Sequence, residues 1–409
     1  MNRRKFIQLA SLIATSGIVS IGTHGWAAKG FAQTKNRKRL IVIFLRGGID
    51  GLNVVVPYRE AAYYEARPRI AIPAPTEQGG ALDLDGHFGL HPALADLMPL
   101  WQQGTLAFIH ASGSPDPTRS HFDAQDYIES GTPGVKTTQE GWMNRLLATI
   151  PKGRPTQAVN MGGTTPRILL GKMPVANLPM GRISNRSLPV DRPLINAAFD
   201  SLYSGSDQLS LAYREGRQAR EILLAELASE MKKADRGAPP PAKFVRDSRK
   251  LARLMVGDAK TQLAFLALGG WDTHVNQGSS KGQLAGKLKQ LGQGLANLVK
   301  ELGSVYSDTA IVVISEFGRT FRENGNAGTD HGHGNAIWLL GGSIRGGEVY
   351  GEWPGLADSQ LFQGRDLEIT TDFREVLAPI LEEHLQIGDS NLAKVFPGYM
   401  PHQRLRLLA

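Results

Sequence analysis

Five short runs of unbroken apolar character, at 40–45, 106–110, 263–268, 311–314 and 336–340, constrain this chain more than any other feature. A strand with one wet face alternates polar and apolar residues, so runs without alternation belong to a sheet buried on both faces. Helix-like stretches separate them, at 93–103, 121–130, 141–149, 211–233, 246–259, 282–302 and 371–384. Strands alternating with helices predict an α/β fold with a mostly parallel central sheet and helices on both faces. The proline run in DRGAPPPAK, 235–243, forbids helix and reads as a linker. It closes a stretch, near 132–243, expected to be an inserted cap on a single domain spanning 34–409.

Residues 1–33 read as an address. Arg3 and Arg4 precede Lys5, Phe6 and Ile7, a moderately apolar run follows, and Ala27, Ala28 and Ala32 offer cleavage sites. This is the pattern of a twin-arginine signal, which implies passage through the twin-arginine translocase and a periplasmic or secreted mature protein. The run is too short and too rich in Ser, Gly and Thr to span a membrane stably. An uncleaved amphipathic anchor is the other reading. Charge follows the same division: the eight bases from Arg3 to Arg39 precede every acid, and the remaining 38 bases balance 38 acids. The net +8 is therefore an export arm and not a nucleic-acid footprint. No cysteine is present, which excludes disulfides, thiolate metal sites and cysteine nucleophiles. A metal here must sit in oxygen and imidazole ligands, which suits Zn, Mn, Mg or Ca.

In a doubly wound sheet the active groups gather beyond the C-terminal ends of the strands. Those positions hold Asp50 after the first run, Ser120 and His121 in HASGSPDPTRSH after the second, and Asp272 and His274 in GGWDTH after the third. After the fourth come Glu316, then Asp330, His331 and His333 in DHGHG. Carboxylates and imidazoles at strand exits are what a divalent cation needs, because the strand fixes the ligand while the loop leaves a coordination position open. Each also has a plain explanation. Asp50 caps a turn among glycines, Ser120 is a helix N-cap, and Asp272 and His274 bond to backbone beside Trp271. RGGIDG lacks the lysine of a P-loop and the spacing of a dinucleotide fingerprint.

The order of twin-arginine signal, RGGIDGLN, RSHFDAQ, GGWDTH, SEFGRT and DHGHG resembles the bacterial family called domain of unknown function 1501. That family is in turn similar to the alkaline phosphatase and sulfatase superfamily, which implies a three-layer α/β sandwich carrying a two-metal centre. The resemblance would make Asp50 the bridging acid, Ser120 the nucleophile, and Asp272 with His274 the ligands of one cation. Glu316 falls where an Asp ligand would stand, Phe317 takes the place of its histidine, and His333 or His331 resembles the late histidine, with Asp330 compensating. Arg319, with Arg119 and Arg46, would offer guanidinium to phosphate or sulfate oxygens of a small anionic ester.

Three functions remain open on the sequence. They are a metal-dependent hydrolase of phosphate or sulfate esters, a metal-stabilised envelope binding or assembly protein without catalysis, and a metal-assisted reaction on a carbohydrate or lipid using Asp, Glu and His as acid and base.

Overall fold

The computed structural model describes residues 37–151, 155–178, 201–211, 214, 241–258 and 260–409, with two strands ahead of them. The chain divides into the units Met1–Arg37 and Lys38–Ala409. In the first, Ile18–Ile21 pairs antiparallel with Trp26–Lys29; the rest of the expected signal segment lies outside the described residues.

Among the described residues, nine strands of the second unit form one sheet. In chain order they are β1 (Arg39–Leu45), β2 (Leu106–Gly113), β3 (Ala158–Asn160), β4 (Ala176–Asn177), β5 (Leu263–Leu268), β6 (Thr309–Ser315), β7 (Asn335–Gly341), β8 (Val349–Tyr350) and β9 (Thr371–Asp372). Their spatial order is β8-β2-β7-β6-β1-β5-β3-β4, with β9 also on β2. Strand β7 runs antiparallel to β6 and β2, and every other pairing in this sheet is parallel. All five apolar runs are strands, and β2 continues three residues beyond its run.

Their lack of alternation has the expected cause. Ile41, Ile43 and Leu45 of β1 face one apolar core, and Leu40, Val42 and Phe44 face another. The first core is closed by helices α3 (Phe244–Gly257) and α4 (Gln283–Leu302). The second is closed by α2 (Trp142–Thr149), α5 (Phe373–Pro379) and α6 (Asp389–Val395). The result is a three-layer α/β sandwich. Helix α4 shows how it is held: Leu284, Leu288, Leu291, Leu295 and Leu298 recur every three or four residues and are all fully buried. Each contributes about 2 kcal/mol by leaving water, and Leu291→Ala would cost roughly 2–5 kcal/mol.

Of the stretch 132–243 expected as an inserted cap, α2, β3 and β4 belong to the sandwich itself. Residues 179–200 and 215–240 of it, with most of the helix expected at 211–233, lie outside the described residues. Among the described residues no helix is long and apolar enough to cross a membrane.

Because β7 opposes its neighbours, the C-terminal ends of β1, β2, β5 and β6 and the beginning of β7 share one edge of the sheet. The loops that leave this edge carry the candidate residues. So does α1 (His121–Ser130), which begins eight residues past β2, is capped by Ser120, and ends at Gly131 in a left-handed conformation.

Candidate metal centre

Three elements bring side chains to one point at this edge: the first turn of α1 with His121, the loop after β5 with Asp272 and His274, and the loop before β7 with His331. The ligand atoms of His121, Asp272 and His331 all lie within 4.8 Å of one another. His274 adjoins them, its Nε2 being 2.9 Å from Asp272 Oδ1 and 3.1 Å from His331 Nε2. His331 Nε2 is 3.3 Å from the same carboxylate oxygen and His121 Nε2 3.6 Å from it.

The tautomer of each ring follows from its other nitrogen. His121 Nδ1 lies 2.8 Å from Glu316 Oε1, His274 Nδ1 3.2 Å from Asp330 Oδ1, and His331 Nδ1 3.0 Å from the Arg119 carbonyl. All three partners only accept hydrogen bonds, so each Nδ1 carries the hydrogen and donates it. In the neutral ring each Nε2 then holds a lone pair, and the three lone pairs converge on Asp272. His121 Nε2 is buried with no hydrogen-bond partner among the described residues.

Three features suit a divalent cation at this point. Imidazole ligands held through their second nitrogen by a carboxylate or carbonyl are the usual supporting arrangement of a metal site. Facing lone pairs 3.1 Å apart on His274 and His331 repel unless a proton or a cation lies between them. The separations of 2.9, 3.1, 3.3 and 3.6 Å also bracket the ligand–ligand edge of roughly 3.3 Å expected around zinc with bonds near 2.0–2.1 Å. The side chains of His121, Asp272, His274 and His331 are 24, 43, 38 and 26% exposed, so the point opens to solvent on one side.

Electrostatics keep both carboxylates charged and move the imidazoles in opposite directions. Burial pushes the Asp272 carboxyl up, but Arg319, His274 and His121 outweigh it and hold it below the ordinary carboxylate range. Glu316 behaves alike: burial raises it, while His121, Gln125 and the Gly47 N–H lower it further. The bond to Glu316 raises His121, so this ring is the more basic and a cation there would displace its proton. Burial first, then His121 and Arg319, lowers His331.

Local backbone geometry is tied to this arrangement. Gly47 sits at φ +121°, and a Cβ there would lie 2.6 Å from the Asp272 nitrogen. Its own N–H donates to Glu316 Oε1 at 2.8 Å. One helical turn after His121, Gln125 donates to the same oxygen at 2.9 Å and accepts from Arg46 Nη1, and Arg46 Nη2 pairs with Glu129.

Several expected residues stand elsewhere. Asp50 is fully buried and pairs with Arg67 Nη1 at 2.7 Å and Gln277 Nε2 at 2.6 Å, so its surroundings are those of a buried ion pair and not of a bridging ligand. Glu316 and Asp330 reach the point only through His121 and His274. His333 is buried against Phe362, the ring centroids 4.1 Å apart, and burial with the nearby Arg119 lowers it to about 4. Phe317, in place of a ligand histidine, packs on the rings of His121 and His331.

Arg319 is also buried. Its guanidinium holds Asp272 Oδ1 at 2.5 Å and the carbonyls of Gly47, Gly48, Trp271 and Thr329, so all three of its nitrogens are engaged by the protein. Arg119 is committed to Asp366 and Gln363. Ser120 is exposed, and its Oγ accepts weakly from the Asp123 nitrogen at 3.5 Å.

The residue the sequence undervalued is His121, overshadowed there by Ser120. The available sign was the spacing HFDAQ, which puts His121 and Gln125 one turn apart on one helix face.

A family model described as protein of unknown function (DUF1501) matches residues 37–396. No curated protein sequence matches the chain. Among solved structures, a protein in the alkaline phosphatase superfamily from Vibrio parahaemolyticus is 12% identical, with 86% of this chain and 71% of that one covered at a TM-score of 0.35. The lipoteichoic acid synthase LtaP from Listeria monocytogenes is 9% identical, covering 93% and 78% at 0.35. The PsFucS1 sulfatase from Pseudoalteromonas sp. is 14% identical, covering 83% and 67% at 0.35.

Proposed function

This chain belongs to the DUF1501 family, and we propose that it is an exported hydrolase of small phosphate or sulfate esters that works with one divalent cation. The observation that carries the reading is the convergence of His121, His274 and His331 Nε2 lone pairs on Asp272 at the solvent-facing edge of the sheet. A donor set this rich in imidazole favours Zn over Mn, Mg and Ca, which prefer oxygen. His121, Asp272, His274 and His331 would hold the cation, with Glu316 and Asp330 orienting two of the rings. A bound divalent cation supplies Lewis-acid polarisation of an ester oxygen and acidification of a coordinated hydroxyl or water.

The chain's own groups supply the rest. Ser120, exposed at the N-terminus of α1 beside His121, is the candidate nucleophile, and the first-turn N–H groups there favour a negative charge. With Arg319 and Arg119 committed elsewhere, Arg365 is the candidate for holding substrate oxygens: it donates Nη2 to the His331 carbonyl and is half exposed. Export is proposed from the paired arginines and the basic arm ahead of Asp50.

The test is metal content by mass spectrometry on protein exported from its natural host, together with turnover of p-nitrophenyl phosphate and p-nitrophenyl sulfate with and without chelator. About one ion per chain and chelator-sensitive turnover are expected; a chain free of metal after export overturns the reading. A second reading rests on a specific observation, namely that four protein donors are enough to close a four-coordinate shell, as structural sites do. One tightly held ion without turnover of either ester supports that reading, a metal-stabilised binding protein.

A further inference from the structure

His274 and His331 come from different loops, and something must hold those loops at the distance that sets their rings 3.1 Å apart. Backbone bonds do part of this: Thr329 N–H donates to Thr273 O at 3.2 Å and Gln277 N–H to Ala327 O at 2.9 Å. The approach is close enough that a Cβ on Gly328 would lie 2.3 Å from the His274 carbonyl carbon. Side chains do the rest: Asn324 Nδ2 donates to the His274 carbonyl at 3.0 Å, Arg319 binds both Asp272 and the Thr329 carbonyl, and one buried amide joins the two threonines that flank the histidines. Gln277, fully buried, accepts from Thr273 Oγ1 at 2.6 Å and from Thr329 Oγ1 at 3.1 Å. Thr273 lies between Asp272 and His274, and Thr329 stands two residues before His331.

The orientation of that amide is itself fixed. Its Nε2 donates to Asp50 Oδ2 at 2.6 Å, so Oε1 must face the two threonines. Asp50 is held in turn by Arg67 Nη1, and Arg67 also binds the carbonyls of Thr320 and Phe321 in the loop that carries His331. The network is expensive for a folded core: it buries an ion pair and leaves Asp50 Oδ1 without a partner among the described residues. An apolar core of the same volume would be cheaper, and what a buried polar network gains in exchange is one defined geometry.

We propose that Gln277 is a positioning residue for the metal centre, setting the separation of the loops that bear Asp272 and His274 on one side and His331 on the other. On this view Asp50, expected from the sequence as a ligand, instead sets the orientation of Gln277. The inference rests on the metal part of the function proposed above and not on turnover.

Two variants test it, Gln277→Met and the double variant Thr273→Val, Thr329→Val. The first removes the amide at similar volume, and the second removes both hydroxyls while keeping Gln277. The readouts are Co²⁺ affinity and the visible absorption spectrum of the cobalt-loaded full chain, with far-UV circular dichroism of the metal-free chain as the check on folding. We expect folded proteins that bind Co²⁺ about 10- to 100-fold more weakly, with altered visible bands. If Gln277→Met does not fold, the double variant alone decides. Unchanged affinity and spectrum in the folded variants overturns the proposal, as does failure of both to fold, since the network would then serve folding. A wild-type chain that binds no Co²⁺ overturns this proposal and the metal reading together, whereas absent ester turnover with weakened cobalt binding sinks only the hydrolase.

Discussion

His91 and His110 sit in the same unit as His121, His274 and His331, yet their rings are used in the opposite sense. His91 Nδ1 accepts the Ala93 N–H and its Nε2 faces the Ser279 carbonyl; His110 Nδ1 accepts the Ala111 N–H and its Nε2 faces the Val55 carbonyl. Both nitrogens of each ring are consumed by backbone, and burial lowers both groups to about 4. In the other three the oxygen partner takes the Nδ1 hydrogen and leaves Nε2 aimed at a shared point. The lesson is that burial alone does not separate a packing histidine from a ligand. The partner of the second nitrogen does, because it decides where the lone pair goes.

The largest expected effect attacks the contrast directly. His331→Ala should lose at least about 100-fold in metal affinity and, with metal at about a thousand times the wild-type Kd, forfeit at least about 2.7 kcal/mol of metal-linked stability. The check is thermal unfolding with metal and with chelator. His110→Ala should cost roughly 2–4 kcal/mol through lost packing and two orphaned backbone groups, yet leave metal affinity unchanged. Metal loss in the His110 variant would erase the distinction.

Acid sharpens it next. In chelator, His91 and His110 titrate near 4 when folded against an ordinary 6.5, so the unfolded chain binds more protons between those values. Their contribution is therefore complete above the ordinary value and is lost as pH falls through the window, by up to about 1.4 kcal/mol per pH unit for each ring. Urea unfolding from pH 7 to 4 should show this slope, and His110→Gln should remove part of it.

Smaller still, Glu316→Gln keeps the volume and a hydrogen-bonding group beside His121 but removes the charge. Metal affinity should drop about 10- to 100-fold, measured by competition with a chromogenic chelator, with little change in metal-free stability relative to His110→Ala. The smallest change is Ser120→Ala, which removes a long cap bond and should cost about 0.5–1 kcal/mol. The same variant should abolish ester turnover if Ser120 is the nucleophile, and retention of turnover would assign the attack to water.

Much of this was legible in the sequence because the sheet is buried on both sides. Strands β1, β5, β6 and β7 announce themselves by the absence of alternation, and the rule of strand ends led to Asp272, His274 and His331. What stayed hidden depends on partners distant in the chain. That Asp50 meets Arg67 and Gln277, and that Arg319 is spent on carbonyls at Gly47, Gly48, Trp271 and Thr329, is decided by packing and leaves no local trace. His121 was obscured for another reason: it follows a serine whose capping role fully explains the helix start.

The reversed direction of β7 has a consequence for how such a centre could change over time. The polymer leaves the sheet at Ser315 and re-enters it at Asn335 without crossing to the far rim, so residues 316–334 form a single excursion anchored at both ends on the rim that carries the candidate site. Replacement of that cassette would exchange Glu316, Arg319, Asp330 and His331 in one event while leaving both hydrophobic layers undisturbed. Chemistry at this rim is thus separable from the scaffold beneath it.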